Sequence, residues 1–140
     1  MSTISHDRII NASCATVFKA LTTAQGLRSW FTRQIQGSGQ LGTDWILSFE
    51  DHPSFDWKIV SIDNEKSVIW KCIEGPGHSQ GTEARFQLKA SSNSQCTLTI
   101  SHQGWNKDDP KFARCVDIWR TLMQHLQVYC ETGIASPVYH

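Results

Sequence analysis

The hydrophobic pattern of this chain changes period once, and that switch limits the folds open to it. Up to about residue 103 apolar residues recur mainly at every second position. In "GTEARFQLKAS" Ala84, Phe86 and Leu88 point one way, and Glu83, Arg85, Gln87 and Lys89 the other. "DWILSFE", "SFDWKIVSID", "EKSVIWKCIEG" and "QCTLTISHQ" repeat this alternation, with turn residues such as Asp63-Asn64 between runs. Period two with a polar alternate face is the mark of an antiparallel sheet that has one covered and one wet side. After Asp109-Pro110 the spacing becomes three-to-four, through Phe112, Cys115, Trp119, Met123, Leu126 and Cys130. That is one amphipathic helix. Asp caps it, Pro opens it and Gly133 stops it. Some 23 residues at 1.5 Å each make it about 34 Å long. One long helix laid across one curved sheet satisfies both apolar faces.

The N-terminal part adds a strand over residues 4–10 and two short helices. Ser13 is the predicted cap of the first, with Val17, Phe18 and Leu21 at helical spacing. The second covers "TAQGLRSWF", although its internal glycine argues against a regular helix. The class is therefore α+β: a curved antiparallel sheet of about six strands around a C-terminal helix. Residues 1–140 form one domain, without internal repeats. At this length roughly two-thirds of the unfolded surface can be buried, so no metal or disulfide is required for a core.

Lys+Arg and Asp+Glu both number 13, a zero balance that argues against nucleic-acid binding. No apolar run is long enough for a membrane span. The five cysteines, Cys14, Cys72, Cys96, Cys115 and Cys130, form no C-x-x-C, and no signal peptide opens the chain. Buried free thiols in a reducing cytoplasm are the expectation. Cys72 and Cys115 fall on apolar parity and should be inert; Cys96 lies near a turn, where it could be exposed. His52 and His78 read as loop residues and His125 as helical. Without H-x-x-x-H or H-E-x-x-H they make no metal set. No cofactor motif is present, and the glycine-rich "EGPGHSQG" lacks the pattern of a phosphate loop.

Six tryptophans are many for 140 residues. The covered face would carry Trp45, Phe49, Trp57, Trp70, Phe86 and His102, approached from the helices by Trp30, Trp119 and Met123. Such rings either pack into a solid core or line an apolar cavity that takes a hydrophobic ligand. His102, in "TISHQGW", shares its strand face with Leu98 and Ile100. A buried imidazole needs a hydrogen-bond partner. It is a satisfied core group, a ligand contact shared with Tyr129, or a general base. The last needs a carboxylate partner, and no Asp or Glu falls on the covered parity of the clear strands. Trp105, just past this strand, reads as a residue of the cavity rim.

Three phrases carry a resemblance over Ile4 to Gly133: "INASCATVFKALTTAQGLRSWF", "TLTISHQGW" and "CVDIWRTLMQHLQVYCETG". In this order they resemble the AHSA1-like (activator of Hsp90 ATPase homologue) branch of the START/Bet v 1-like SRPBCC superfamily. The chain departs at Ala12-Ser13, where relatives often have Ala-Pro. The resemblance implies the helix-grip fold and an apolar or amphipathic small-molecule ligand. It also implies two alternatives: a polyketide cyclase or dehydratase acting through His102, and a chaperone-associated stress-response protein.

Overall fold

A computed structural model describes residues 2–49, 52–75, 79–106 and 108–139. Along the chain run β1 (Ser2–Ile10), α1 (Cys14–Thr22), α2 (Ala24–Trp30) and β2 (Gln34–Gln36). There follow β3 (Asp44–Phe49), β4 (His52–Asp63), β5 (Ser67–Glu74), β6 (Glu83–Ser92), β7 (Gln95–Trp105) and α3 (Pro110–Thr132). All strands join one antiparallel sheet in the order β1-β7-β6-β5-β4-β3-β2. From β2 to β7 each strand pairs with the next in sequence, a meander that short turns suffice to build. The N-terminal strand then closes onto β7.

Among the described residues there are seven strands where alternation pointed to about six. The addition is β2, whose three residues pair with Ile46–Ser48 and are too few to show a period. The helix ends follow the capping signals. Ser13 Oγ accepts from Thr16 N, Asp109 Oδ1 accepts from Lys111 N, and Gly133 ends α3 at φ 75°. His52, read as a loop residue, begins β4. His78 lies outside the described residues.

Gly26, which argued against a helix, is what lets α2 form where it does. A Cβ there would lie 2.6 Å from the Ala20 carbonyl oxygen of α1. The same oxygen accepts from Trp30 Nε1 at 2.8 Å. α1 and α2 therefore touch backbone to backbone, with Leu21, Leu27 and Trp30 fully buried.

α3 lies over the concave face and bonds along β1. His6 Nε2 donates to Val116 O, Arg8 Nη1 to Gln127 Oε1, and Gln127 Nε2 to the Ile9 carbonyl. Asn11 N donates to Glu131, which holds that carboxyl below its ordinary range. Polar residues on the α3 side of β1 thus meet the flank of the helix rather than its apolar stripe, which explains the loose alternation of "ISHDRII". Beyond Gly133 the chain returns along α2, with Tyr139 N on the Phe31 carbonyl and the Tyr139 ring against Phe49.

Two effects oppose each other at Gly26. Helix propensity alone would make Gly26→Ala stabilising by about 1 kcal/mol. The contact with backbone at 2.6 Å cannot relax by side-chain rotation, so overpacking should win. A net loss of about 1–3 kcal/mol is expected, measured by urea unfolding.

Candidate functional site

Register brings the rings together. Ile59 of β4, Trp70 of β5, Ala84 of β6 and His102 of β7 form one row across the sheet, and Val68, Phe86 and Ile100 form the next. Ala84 is the small member, and its missing bulk leaves room above the strand for its neighbours. Trp57 reaches His102 with centroids 5.3 Å apart, and Trp70 at 6.0 Å. Trp70 meets Phe86 edge-on at 4.7 Å, and Phe86 meets Trp119 of α3 at 5.9 Å. Met123 is 1% exposed one turn further along the helix. Trp57, Trp70, Phe86, His102 and Trp119 are thus assembled between sheet and α3 in ring-to-ring contact, with Met123 buried on the same helix. The tilted and edge-on angles suit the quadrupoles of the rings.

The other candidates are placed elsewhere. Trp45 sits opposite Trp57 on β3, with the Gly37–Gly39 loop against its indole. Trp30 serves the α1–α2 contact. Phe49 is only half buried and packs on Tyr139. Tyr129 faces a different space. With Thr16, Lys19, Thr23, Gln25 and Cys130 it lines a cleft of about 290 Å³ between α1, α2 and the end of α3.

His102 is at the centre of a hydrogen-bond chain that fixes its protonation. Trp119 Nε1–H donates to Nδ1 at 2.9 Å. An indole nitrogen only donates, so Nδ1 is the bare nitrogen and Nε2 carries the proton. Nε2–H then donates to Thr82 Oγ1 at 2.7 Å, and Thr82 Oγ1–H donates to the Ser79 carbonyl at 2.6 Å. Burial pushes the imidazole pKa down to about 3, since the charged form would lose its hydration. A second ring proton would also point at the indole N–H, a clash of donors with the same sign.

Sequence alternation misses Thr82, Ser79 and Trp105. The two hydroxyl residues lie before β6 and carry no periodic signal. Trp105, expected at a rim, is inside β7 and 0% exposed. The cause is Gly104 at φ +92°, where β7 spends three residues (His102 to Trp105) against two on β1 (Ile4 to Ser2). This bulge reverses the parity and turns Trp105 inward, 5.2 Å from His102. Cys96 is fully buried, not exposed, because it pairs with Ile10 beneath the end of α3. Burial pushes its thiol up to about 12, and those of Cys72 and Cys115 up to about 11.

A polar set remains open. The indole N–H groups of Trp45, Trp57, Trp70 and Trp105 are buried without an acceptor among the described residues.

Comparison with known proteins gives a consistent picture. A family model described as Activator of Hsp90 ATPase homolog 1-like protein matches residues 11–131. The solution structure of the Aha1 dimer from Colwellia psychrerythraea is similar at 30% identity and a TM-score of 0.86, covering 95% of this chain and 98% of that one. DynU16, a putative protein of the dynemicin biosynthetic locus, shares the fold at 18% identity and TM-score 0.79, over 96% of this chain and 49% of its own. CalU16 from Micromonospora echinospora does so at 13% identity and TM-score 0.76, over 96% and 76%. No curated protein sequence matches the chain.

The histidine makes stability pH-dependent with a definite sign. Its folded pKa, about 3, lies below the ordinary 6.5, so between those values the unfolded chain holds the extra proton. This contribution is complete above pH 6.5 and is lost as pH falls toward 3, at up to about 1.4 kcal/mol per unit. His102→Gln retains one acceptor and one donor but does not titrate. Urea unfolding at pH 6.5, 5.5 and 4.5 should show the gap between wild type and variant closing by about 1 kcal/mol per unit. Trp119→Phe, which leaves Nδ1 without a donor, should cost about 1–3 kcal/mol at pH 7.

Proposed function

The chain belongs to the Activator of Hsp90 ATPase homolog 1-like family, and on that premise we propose that it is a small binding protein, taking an apolar or amphipathic small molecule between its sheet and α3. The aromatic layer of Trp57, Trp70, Phe86 and Trp119 is the observation that carries this reading. A core needs only volume and apolarity, which Leu and Ile supply. Tilted and edge-on rings with centroids 4.7 to 6.0 Å apart can be parted by a planar guest, exchanging edge contacts for face contacts at little net loss. Met123, at the helix side of the layer, has the flexible stem for such repacking. A flat bicyclic guest burying about 150 Å² gains about 4 kcal/mol, equivalent to a millimolar dissociation constant. Tighter binding requires a polar contact.

His102 does not supply that contact directly. Both ring nitrogens are engaged, so it orients no ligand group without giving up Trp119 or Thr82. The same occupancy counts against a cyclase or dehydratase that shuttles protons through this residue. Its role is to hold the rings of Trp119, Trp57 and Trp105. A reducing cytoplasm fits five buried free thiols.

A second reading, association with an Hsp90-type chaperone, is favoured by the likeness to a protein bearing the Aha1 name. The two readings separate in two assays. Native mass spectrometry of freshly purified protein should show a discrete extra mass released by organic extraction. Diphenylhexatriene, an apolar probe without a hydrogen-bond donor, should bind one per chain, with energy transfer from tryptophan. A clean apo mass with no probe binding, together with raised ATP turnover by a purified Hsp90 on adding the protein, would overturn the first reading in favour of the second.

A further inference from the structure

We infer that the guest of this interior carries a hydrogen-bond acceptor with no accompanying donor, such as a ketone, quinone or ether on a planar apolar frame, received by the indole N–H groups of Trp57 and Trp105 beside His102. The inference rests on the small-molecule reading above and names the ligand's class.

Six tryptophans contribute six indole donors, and among the described residues two have acceptors: Trp30 on Ala20 O and Trp119 on His102 Nδ1. Those of Trp45, Trp57, Trp70 and Trp105 are buried and have no partner among the described residues, in side chains no more than 1% exposed. Buried donors of this kind are ordinarily met by protein, water or ligand. An indole N–H cannot turn into an acceptor, so whatever meets it has to offer a lone pair.

Two of the four pack on one histidine, and a third meets the first of these two. Trp57 lies 5.3 Å from the His102 ring and Trp105 5.2 Å, and Trp70 is 6.0 Å from Trp57. The acceptors around His102 are committed, whereas Asp56 Oδ1, next to Trp57 in β4, is a buried acceptor without a partner among the described residues. His102 Nδ1 takes the Trp119 proton, Thr82 Oγ1 takes that of His102, and the Ser79 carbonyl takes that of Thr82. Ser79 Oγ stands 3.8 Å from the Cys72 thiol. A guest hydroxyl or amine would bring a donor into a neighbourhood of donors, whereas a carbonyl or ether oxygen brings only lone pairs. Charge is disfavoured as well, because the burial that keeps His102 neutral acts equally on a guest ion.

Trp105 reaches this place by a special backbone. Gly104 at φ +92° places a glycine-favouring conformation in a strand, and its consequence is a buried indole with no acceptor. A position that serves packing alone could carry phenylalanine, which has the same apolar ring edge and no donor to satisfy.

The test uses two probes of nearly one shape, 2-acetylnaphthalene and 2-isopropenylnaphthalene, which differ by an oxygen in place of a methylene. Each is titrated into the full chain while the indole N–H resonances are followed by ¹H–¹⁵N NMR. The ketone is expected to bind about tenfold tighter although it is the more water-soluble, the equivalent of one good hydrogen bond. It should shift the Trp57 and Trp105 indole signals downfield and leave Trp30 in place. Trp57→Phe and Trp105→Phe should bring the ratio of the two affinities toward one, whatever either change does to hydrocarbon binding by itself. The wild-type NMR shifts decide the matter even where a variant does not fold. Equal affinities, or stronger binding of the alcohol 1-(2-naphthyl)ethanol than of the ketone, would overturn the acceptor class and leave small-molecule binding standing. Failure of all three probes up to their solubility limits would overturn both.

Discussion

The hydrogen bond from Trp119 to His102 is the joint between helix and sheet. Burying an indole and an imidazole is expensive unless each satisfies the other, and here each does so only in one rotation of α3. The bond selects the tautomer of His102, and the tautomer selects Thr82 as its acceptor, which in turn ties the residues before β6 to β7. Trp57 and Trp105 pack on the imidazole held this way. A nonpolar residue at position 102 would leave the helix free to rotate among several apolar packings. One polar link within a greasy interface removes that freedom.

Around this joint the interior is built largely of rings, with Ile59, Val68 and Ile100 in the same rows. That choice has consequences for motion as well as volume. A ring has two side-chain torsions and large flat faces, so edge-on pairs re-stack in a way interlocked Leu and Ile do not. The meander leaves room for this through Ala84, between Trp70 on one side and His102 on the other. Closed packing and the proposed guest are therefore compatible in this sheet. The cleft between α1, α2 and the end of α3 has a different character, with Lys19, Thr23 and Gln25 among its lining.

The likeness to DynU16 and CalU16 at 13–18% identity shows how little of the sequence the fold demands. A concave sheet and one covering helix need alternation, caps and turns, which many residue combinations satisfy. The function resides in side chains that the fold leaves free to vary. In this chain the tryptophans around position 102, and the glycine that turns the last of them inward, are the residues on which the proposed ligand binding rests.

Much of the architecture was legible in the sequence because its signals are local. Alternation over four to ten residues marks a strand, and Ser13, Asp109 and Gly133 act on the backbone within one turn of themselves. The aromatic face was readable as far as parity held, which placed Trp57, Trp70, Phe86 and His102 together. Parity failed at Gly104, since a bulge of one residue reverses every side chain beyond it and leaves no mark in hydrophobicity. The worth of Gly26 was likewise hidden, because it depends on an oxygen six residues away in another helix. The chain by itself determined the class of the fold, its caps and the presence of a buried histidine. Tertiary structure decided which nitrogen of that histidine bears the proton and which tryptophans surround it. The physical reason is range: propensity and period act along the chain, whereas a hydrogen bond between residues 102 and 119 exists only once helix and sheet have met.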